Sequence, residues 1–317
     1  MPTSRIVLLL LCLSLLPFST LARLEASYVP HRVFDTKEKR FSDFEAMVAD
    51  LARADVVFVG EQHDDPGTHR LEIAILEGIA RRRSNVIVAL EMFERDVQQQ
   101  VDDYLAGKTT EQDFLKNSRP WPRYATDYKP LIEFAKAKGW KVVAGNVPRR
   151  YASQVGKSGL SAAETLPAAE RGFLAKEFSC PPDDYFKRFT EAMGGHPGDS
   201  KDAPKMPKMP KMPKMDAAMI ERMYQAQCVK DETMAESIAN AAQAAPGALV
   251  IHYNGAFHSD YRLGTAARTK QRLPKANIKV VSALPVENLD AINADKDRKR
   301  GEYLLFTLKP PKKDTKS

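Results

Sequence analysis

The chain has 317 residues, 43% hydrophobic and 28% charged, with 16 Gly and 3 Cys. That composition excludes collagen, coiled coil, wholesale disorder and a disulfide-dense scaffold, and leaves an ordinary globular core. The net charge of +7 is not a nucleic-acid footprint: residues 201–215 carry +4, residues 309–317 carry +3 and Arg5 adds one, so the remainder is −1.

Residues 6–16 are apolar apart from Ser14, follow Arg5 and end at Pro17, and Thr20 and Ala22 set small residues at −3 and −1 of a cleavage point. This is the plan of a secretory signal peptide over residues 1–22, too short for the ~20 residues of a spanning helix. We expect a mature chain starting near Arg23, outside the cytoplasm in the periplasm, with no transmembrane segment. Cys12 lies inside the apolar run rather than after it, so no lipid anchor is expected.

Six short apolar runs predict strands at residues 55–60 (DVVFVG), 85–90 (NVIVAL), 141–145 (KVVAG), 248–253 (ALVIHY), 278–283 (IKVVSA) and 302–308 (EYLLFTL). They lack period-2 alternation, which fits strands covered on both faces. Helices are predicted over 43–53, 66–83, 126–138, 162–178, 215–244 and 259–269, the second with Asp65 as N-cap and Pro66 at its first position. Alternating strands and helices indicate an α/β fold with a mostly parallel central sheet flanked by helices. The last strand, reached through a loop, is the candidate for an antiparallel edge. We expect one domain over 23–308, a mainly helical insertion at about 150–245, and a basic tail over 309–317. Within the insertion, Pro-Lys-Met repeats four times over 204–215; Pro at every third position forbids helix and predicts a solvated polyproline II spacer. Its methionine edge is a weak Cu(I) candidate, because the interleaved lysines repel a cation. Cys180 and Cys228, the two cysteines beyond the leader, are expected to form a disulfide in an oxidising compartment.

Ligands of open α/β sheets bind beyond the carboxyl ends of the strands. Four predicted strands run into polar clusters there: Gly60-Glu61-Gln62-His63-Asp64-Asp65 with His69 a turn later, Glu91, Asn146-Val147-Pro148-Arg149-Arg150, and Asn254-Gly255-Ala256-Phe257-His258. Gly-x-x-His occurs twice after a strand, and glycine there permits a sharp turn and close approach. Two imidazoles with two carboxylates make a mixed N/O set suited to a divalent metal, and without metal the same groups suit acid–base work. We therefore single out Glu61, His63, Glu91 and His258 as metal ligands or catalytic groups, with Arg149 as a cationic clamp for a carboxylate or oxyanion. No Gly-x-Ser-x-Gly elbow, P-loop or dinucleotide fingerprint is present, which removes the usual serine hydrolase, NTPase and NAD readings.

These residues carry a resemblance. Residues 58–64 (FVGEQHD) with His69, 89–93 (ALEMF), Trp121 with 128–131 (YKPL), 144–149 (AGNVPR), Gln227 with 231–235 (DETMA), and 255–258 (GAFH) resemble the ChaN family of haem-binding lipoproteins. The resemblance spans residues 50–285 in order. It implies haem as cofactor and partner, a role in haem or iron uptake, and a Tyr ligand at a homodimer interface; the chain departs from the pattern in its missing lipoprotein Cys and its extra Pro-Lys-Met insert. Tyr253 and Tyr261 are the candidate ligands, Tyr phenolate being a ferric haem ligand, and His69 is a candidate haem contact. The family is grouped with Tiki-type metalloproteases and erythromycin-esterase-like enzymes, which implies, as the alternative, metal-dependent hydrolysis at Glu61, His63, Glu91 and His258. The haem-binding reading leads; no nucleic-acid partner is expected.

Overall fold

The computed structural model describes residues 28–194 and 216–310. The leader, the Pro-Lys-Met repeat and nearly all of the basic tail lie outside the described residues. Eight strands form one sheet: β1 (His31–Asp35), β2 (Arg40–Ser42), β3 (Val56–Glu61), β4 (Val86–Glu94), β5 (Lys141–Asn146), β6 (Leu249–Gly255), β7 (Ile278–Val286) and β8 (Tyr303–Leu308). Their order is β2-β1-β8-β7-β3-β6-β4-β5. The six strands from β8 to β5 are parallel, while β1 runs antiparallel to β8 and β2 to β1.

The sheet is mostly parallel because its apolar runs must be covered on both faces. Val57 and Val59 of β3 face a core built with helices Phe44–Leu51, Pro66–Ala80, Gln98–Leu105 and Lys129–Lys138. Val56 and Phe58 face the other way, onto Ile238 and Ala241 of the long helix Ala217–Ala244. Asp65 caps helix Pro66–Ala80 by accepting from the Gly67 and Thr68 amides, with Pro66 in the first turn, where a missing N–H costs nothing. Among the described residues, no helix is long and apolar enough to cross a membrane.

Several expectations are corrected. The last strand, β8, is neither antiparallel to its predecessor nor at an edge: it pairs parallel with β7 and is flanked on its other side by β1. Residues 287–302 provide the dozen or more residues a parallel crossover needs without forming a helix. The edge belongs to the β1–β2 hairpin, too short to stand out in the sequence. The helix expected over 162–178 is only two single turns, Ser161–Glu164 and Ala168–Arg171, because Pro167 interrupts the hydrogen-bond ladder between them. Expected helix 259–269 begins as a 3-10 turn with Tyr261 and Arg262 in left-handed backbone, and becomes regular only over Gly264–Arg272. Helices Gln98–Leu105, Glu111–Ser118, Arg149–Ser158 and Asp184–Gly194 had no sequence counterpart. Cys180 and Cys228 are thiols rather than the expected disulfide, and pack in one aromatic cluster with Tyr185 and Tyr224.

Candidate functional site

The carboxyl ends of β3, β4, β5 and β6 open into a cleft of about 670 Å³. Glu61, His63, Glu91, Arg149 and His258 all line it. Its opposite wall comes from elements without strands: Gln227 and Lys230 of the long helix, and Phe189, Ala192 and Met193 of helix Asp184–Gly194.

The polar groups form two pairs bridged by a glycine. Glu61 Oε1 accepts from His63 Nδ1 at 2.6 Å and from the Tyr128 hydroxyl at 2.9 Å. Glu91 Oε2 accepts from the Gly255 amide at 2.7 Å, and Glu91 Oε1 lies 3.3 Å from His258 Nε2. His258 Nδ1 donates to Asp231 Oδ1 at 2.7 Å. Asp231 in turn accepts from Thr265 Oγ1 at 2.7 Å and from the Tyr185 hydroxyl at 2.8 Å. His258 is thus held on both ring nitrogens by carboxylates. His63 is freer: its side chain is 48% exposed, and Trp121 meets it edge-on at 5.1 Å.

The role of Gly255 is space rather than a special turn, since its φ is −55°. A Cβ there would stand 2.8 Å from His63 Nε2 and 3.7 Å from Glu91 Oε2. Gly60 similarly leaves room for Ala256, whose Cα would be 3.0 Å from an added Cβ. We predict that Gly255→Ala keeps the fold, because the obstructing atom is the end of a half-exposed ring that can swing out. The displaced ring loses its bond to Glu61, so the His63 proton affinity should drop, as an NMR titration would record. An unchanged titration would show that the ring is not seated on Gly255.

Electrostatics follow from burial. Burial alone would lower His258, but Glu91 and Asp231 outweigh it and raise its pKa to about 10. Burial would raise Glu91, yet His258, with help from His63 and the Gly255 amide, holds it well below the usual carboxylate range. His63 is also raised: burial opposes this, while the bond to Glu61 and the charge of Glu91 overcome it. The cleft floor therefore carries an imidazolium held between two carboxylates at His258 and a His63–Glu61 pair of raised proton affinity, groups that can exchange a proton or yield to a divalent cation.

None of the three haem-contact candidates lines this cleft. Tyr253 is fully buried on the opposite face of β6, its hydroxyl donating to the Glu72 carbonyl at 3.3 Å. Alternation along the strand puts it in the core with Ile251. His69 is buried behind Glu61, against Tyr128, and is not part of the lining. Tyr261 is half-buried and lines an adjoining cavity of about 330 Å³, which shares Phe257, Asp260 and Arg300 with the main cleft. Its φ of +62° is costly for a residue with a Cβ. The Arg300 carbonyl fixes it by accepting its amide at 2.7 Å, and Arg188 lies 3.3 Å over its ring.

Sequence reasoning assigned no role to Asp231, Tyr185, Lys230 or Arg300. Asp231 left one signal, a carboxylate followed by Thr233 and Met234 on a stretch of helix that is buried almost throughout. Glu72 left a similar one, an acid inside the apolar run LEIAIL.

A mostly parallel α/β sheet with a Glu/His cleft across four strand ends defines the class. The family described as "Haem-binding uptake, Tiki superfamily, ChaN" matches residues 47–269, and the chain belongs to it. A solved structure described as cofacial heme binding to ChaN of Campylobacter jejuni superposes with a TM-score of 0.59 at 18% identity, covering 87% of this chain and 96% of that one. At that identity the likeness is one of fold. An erythromycin esterase mutant in its open conformation aligns more distantly, with a TM-score of 0.44, 10% identity, and coverage of 88% and 83%. The type III effector HopBA1 aligns with a TM-score of 0.43, 10% identity, and coverage of 90% and 100%. No curated protein sequence matches the chain.

Proposed function

We propose that this protein binds haem and serves haem or iron uptake outside the cytoplasm. The observation that carries the reading is membership of the haem-binding family across residues 47–269. The cleft residues fit the group. Trp121, Phe189, Met193 and Phe257 offer apolar surface for a porphyrin, and Arg149 and Lys230 offer cations for its propionates. Tyr261, beside the cleft and under the Arg188 guanidinium, is the phenol best placed to ligate ferric iron. Bound haem supplies an iron centre for carriage; the chain supplies ligand, apolar walls and counter-charge. The proposed compartment rests on the leader over residues 1–22, and the proposed homodimer on the family resemblance.

Titrating purified protein with ferric haem should produce a saturable shift of the Soret band. Tyr261→Phe should change that band's position and weaken binding at least tenfold. A wild-type spectrum identical to free haem would end the proposal, and an unaltered Tyr261→Phe spectrum would move the ligand elsewhere. A second reading, metal-dependent hydrolysis, is favoured by the pairing of Glu61 with His63 and of Glu91 with His258 around one cleft.

A further inference from the structure

Beneath the cleft lies a second polar cluster that haem carriage does not use. Glu61, His69 and Glu72 each present a ligand atom within 4.8 Å of the others, and all three side chains are buried. His69 comes from the first turn of helix Pro66–Ala80, Glu72 from the next turn, and Glu61 from the end of β3.

The bond to the His63 carbonyl places a proton on the far ring nitrogen of His69. Its Nε2 lies 3.2 Å from the His63 carbonyl, with the Asp127 carboxylate 3.5 Å away. A carbonyl oxygen only accepts, so Nε2 carries the hydrogen. In the neutral ring Nδ1 is then a lone pair, and it faces Glu72 Oε2 at 3.0 Å and Glu61 Oε2 at 3.6 Å. Glu61 Oε2 and Glu72 Oε1 are buried without any hydrogen-bond partner. Three potential ligand atoms thus converge within 4.8 Å, and leaving Glu61 Oε2 unpaired in the interior is costly.

We propose that Glu61, His69 and Glu72 form a buried divalent-cation site distinct from the open cleft. Two ligands at ~2.1 Å from a metal and at roughly right or tetrahedral angles stand about 3.0–3.4 Å apart, so the His69–Glu72 separation already fits one ion and Glu61 Oε2, at 3.6 Å, would have to close in slightly. One imidazole with two carboxylates is a borderline-hard donor set, suited to Zn²⁺, Mn²⁺ or Fe²⁺ rather than to Cu(I). The arrangement behind His69 is the one metal-bound histidines adopt, with the far N–H given to a carbonyl and a carboxylate nearby. The ion would tie helix Pro66–Ala80 to β3. Through Glu61, whose other oxygen holds His63, it would set the position of His63 in the cleft. All three side chains are buried, so ion exchange requires a local opening and should be slow. The proposal does not depend on haem binding.

The test uses the full mature chain, stripped with chelator and then loaded with Mn²⁺ or Zn²⁺ alone. Wild type should retain close to one ion per chain after gel filtration. Glu72→Gln and His69→Gln should each lower affinity at least about 100-fold, while Glu91→Gln, which alters only the cleft, should retain the ion. X-ray absorption of zinc-loaded wild type should show one imidazole among oxygen ligands, which settles the matter even if a variant fails to fold. Retention of no ion would mean that the cluster holds only a proton. An ion lost with Glu91→Gln, or ligated by two imidazoles, would lie in the cleft. Either result overturns the proposal.

Discussion

Asp231→Ala should cost about 3–5 kcal/mol, the scale measured when one partner of a buried ion pair is removed. Asp231 is completely buried and accepts from three donors on three different elements: His258 Nδ1, Thr265 Oγ1 and the Tyr185 hydroxyl. Alanine removes the acceptor, leaving two hydroxyls and a charged imidazole without their partner in a site with little access to water. Burial alone would raise Asp231, but His258 and Arg268 outweigh it and lower its pKa, so the carboxylate contributes as an anion. In urea the midpoint should fall with little change in slope, as for a change in stability rather than in compactness. The cleft should suffer as well, since Tyr185 and Tyr224 anchor helix Asp184–Gly194 over its far wall. Asp231→Asn keeps the shape and one acceptor, so its cost should be clearly smaller. A loss below about 1 kcal/mol for alanine would mean that the triad of donors finds water instead.

What could be read from the sequence divides along a physical line. The interior strands were legible because burial on both faces demands continuous apolar runs, and Val56–Glu61 and Leu249–Gly255 are buried at every position. Polar residues ending such runs stand out, which is why Glu61, His63, Glu91, Arg149 and His258 could be picked as sharing a cleft. The missed elements are governed by long-range packing. Helix Asp184–Gly194 earns its place by setting Tyr185 and Phe189 against Tyr224 and Phe257, a pairing across distant segments that no local pattern announces. The β1–β2 hairpin is fixed by pairing with β8, the far end of the chain. Side-chain direction was the other blind spot. Tyr253 adjoins the polar cluster in sequence, but strand alternation sends its ring into the core while Asn254 turns the opposite way to bond Ser259.

Stability should fall as pH rises from about 6.5 to about 10. The cause is His258, whose pKa in the folded chain is raised from 6.5 to about 10 by Glu91 and Asp231 against the opposing effect of burial. The fold prefers the imidazolium, so the stabilisation is complete below the unfolded value and disappears as pH passes the folded one. Each pH unit inside the window removes about 1.4 kcal/mol, and the full span is on the order of 4–5 kcal/mol. Glu91 acts in the opposite direction. Burial would raise it, but His258 and its other partners hold it low, so its contribution exists above the ordinary glutamate range and is lost as pH drops. Both contributions describe the same ion pair and must not be added. These two groups on their own give greatest stability between about pH 5 and 6.5, where both are charged in the unfolded chain as well as in the folded one and folding neither takes up nor releases their protons. Urea midpoints at pH 6, 8 and 9.5, in chelator to keep metal out of the cleft, should therefore decline steadily. In His258→Gln, which cannot titrate, the decline should flatten while overall stability is lower at pH 6. A wild-type midpoint constant across that range, or an equal decline in His258→Gln, would show that His258 is neutral in the folded protein and that Glu91 and Asp231 do not hold it as a cation.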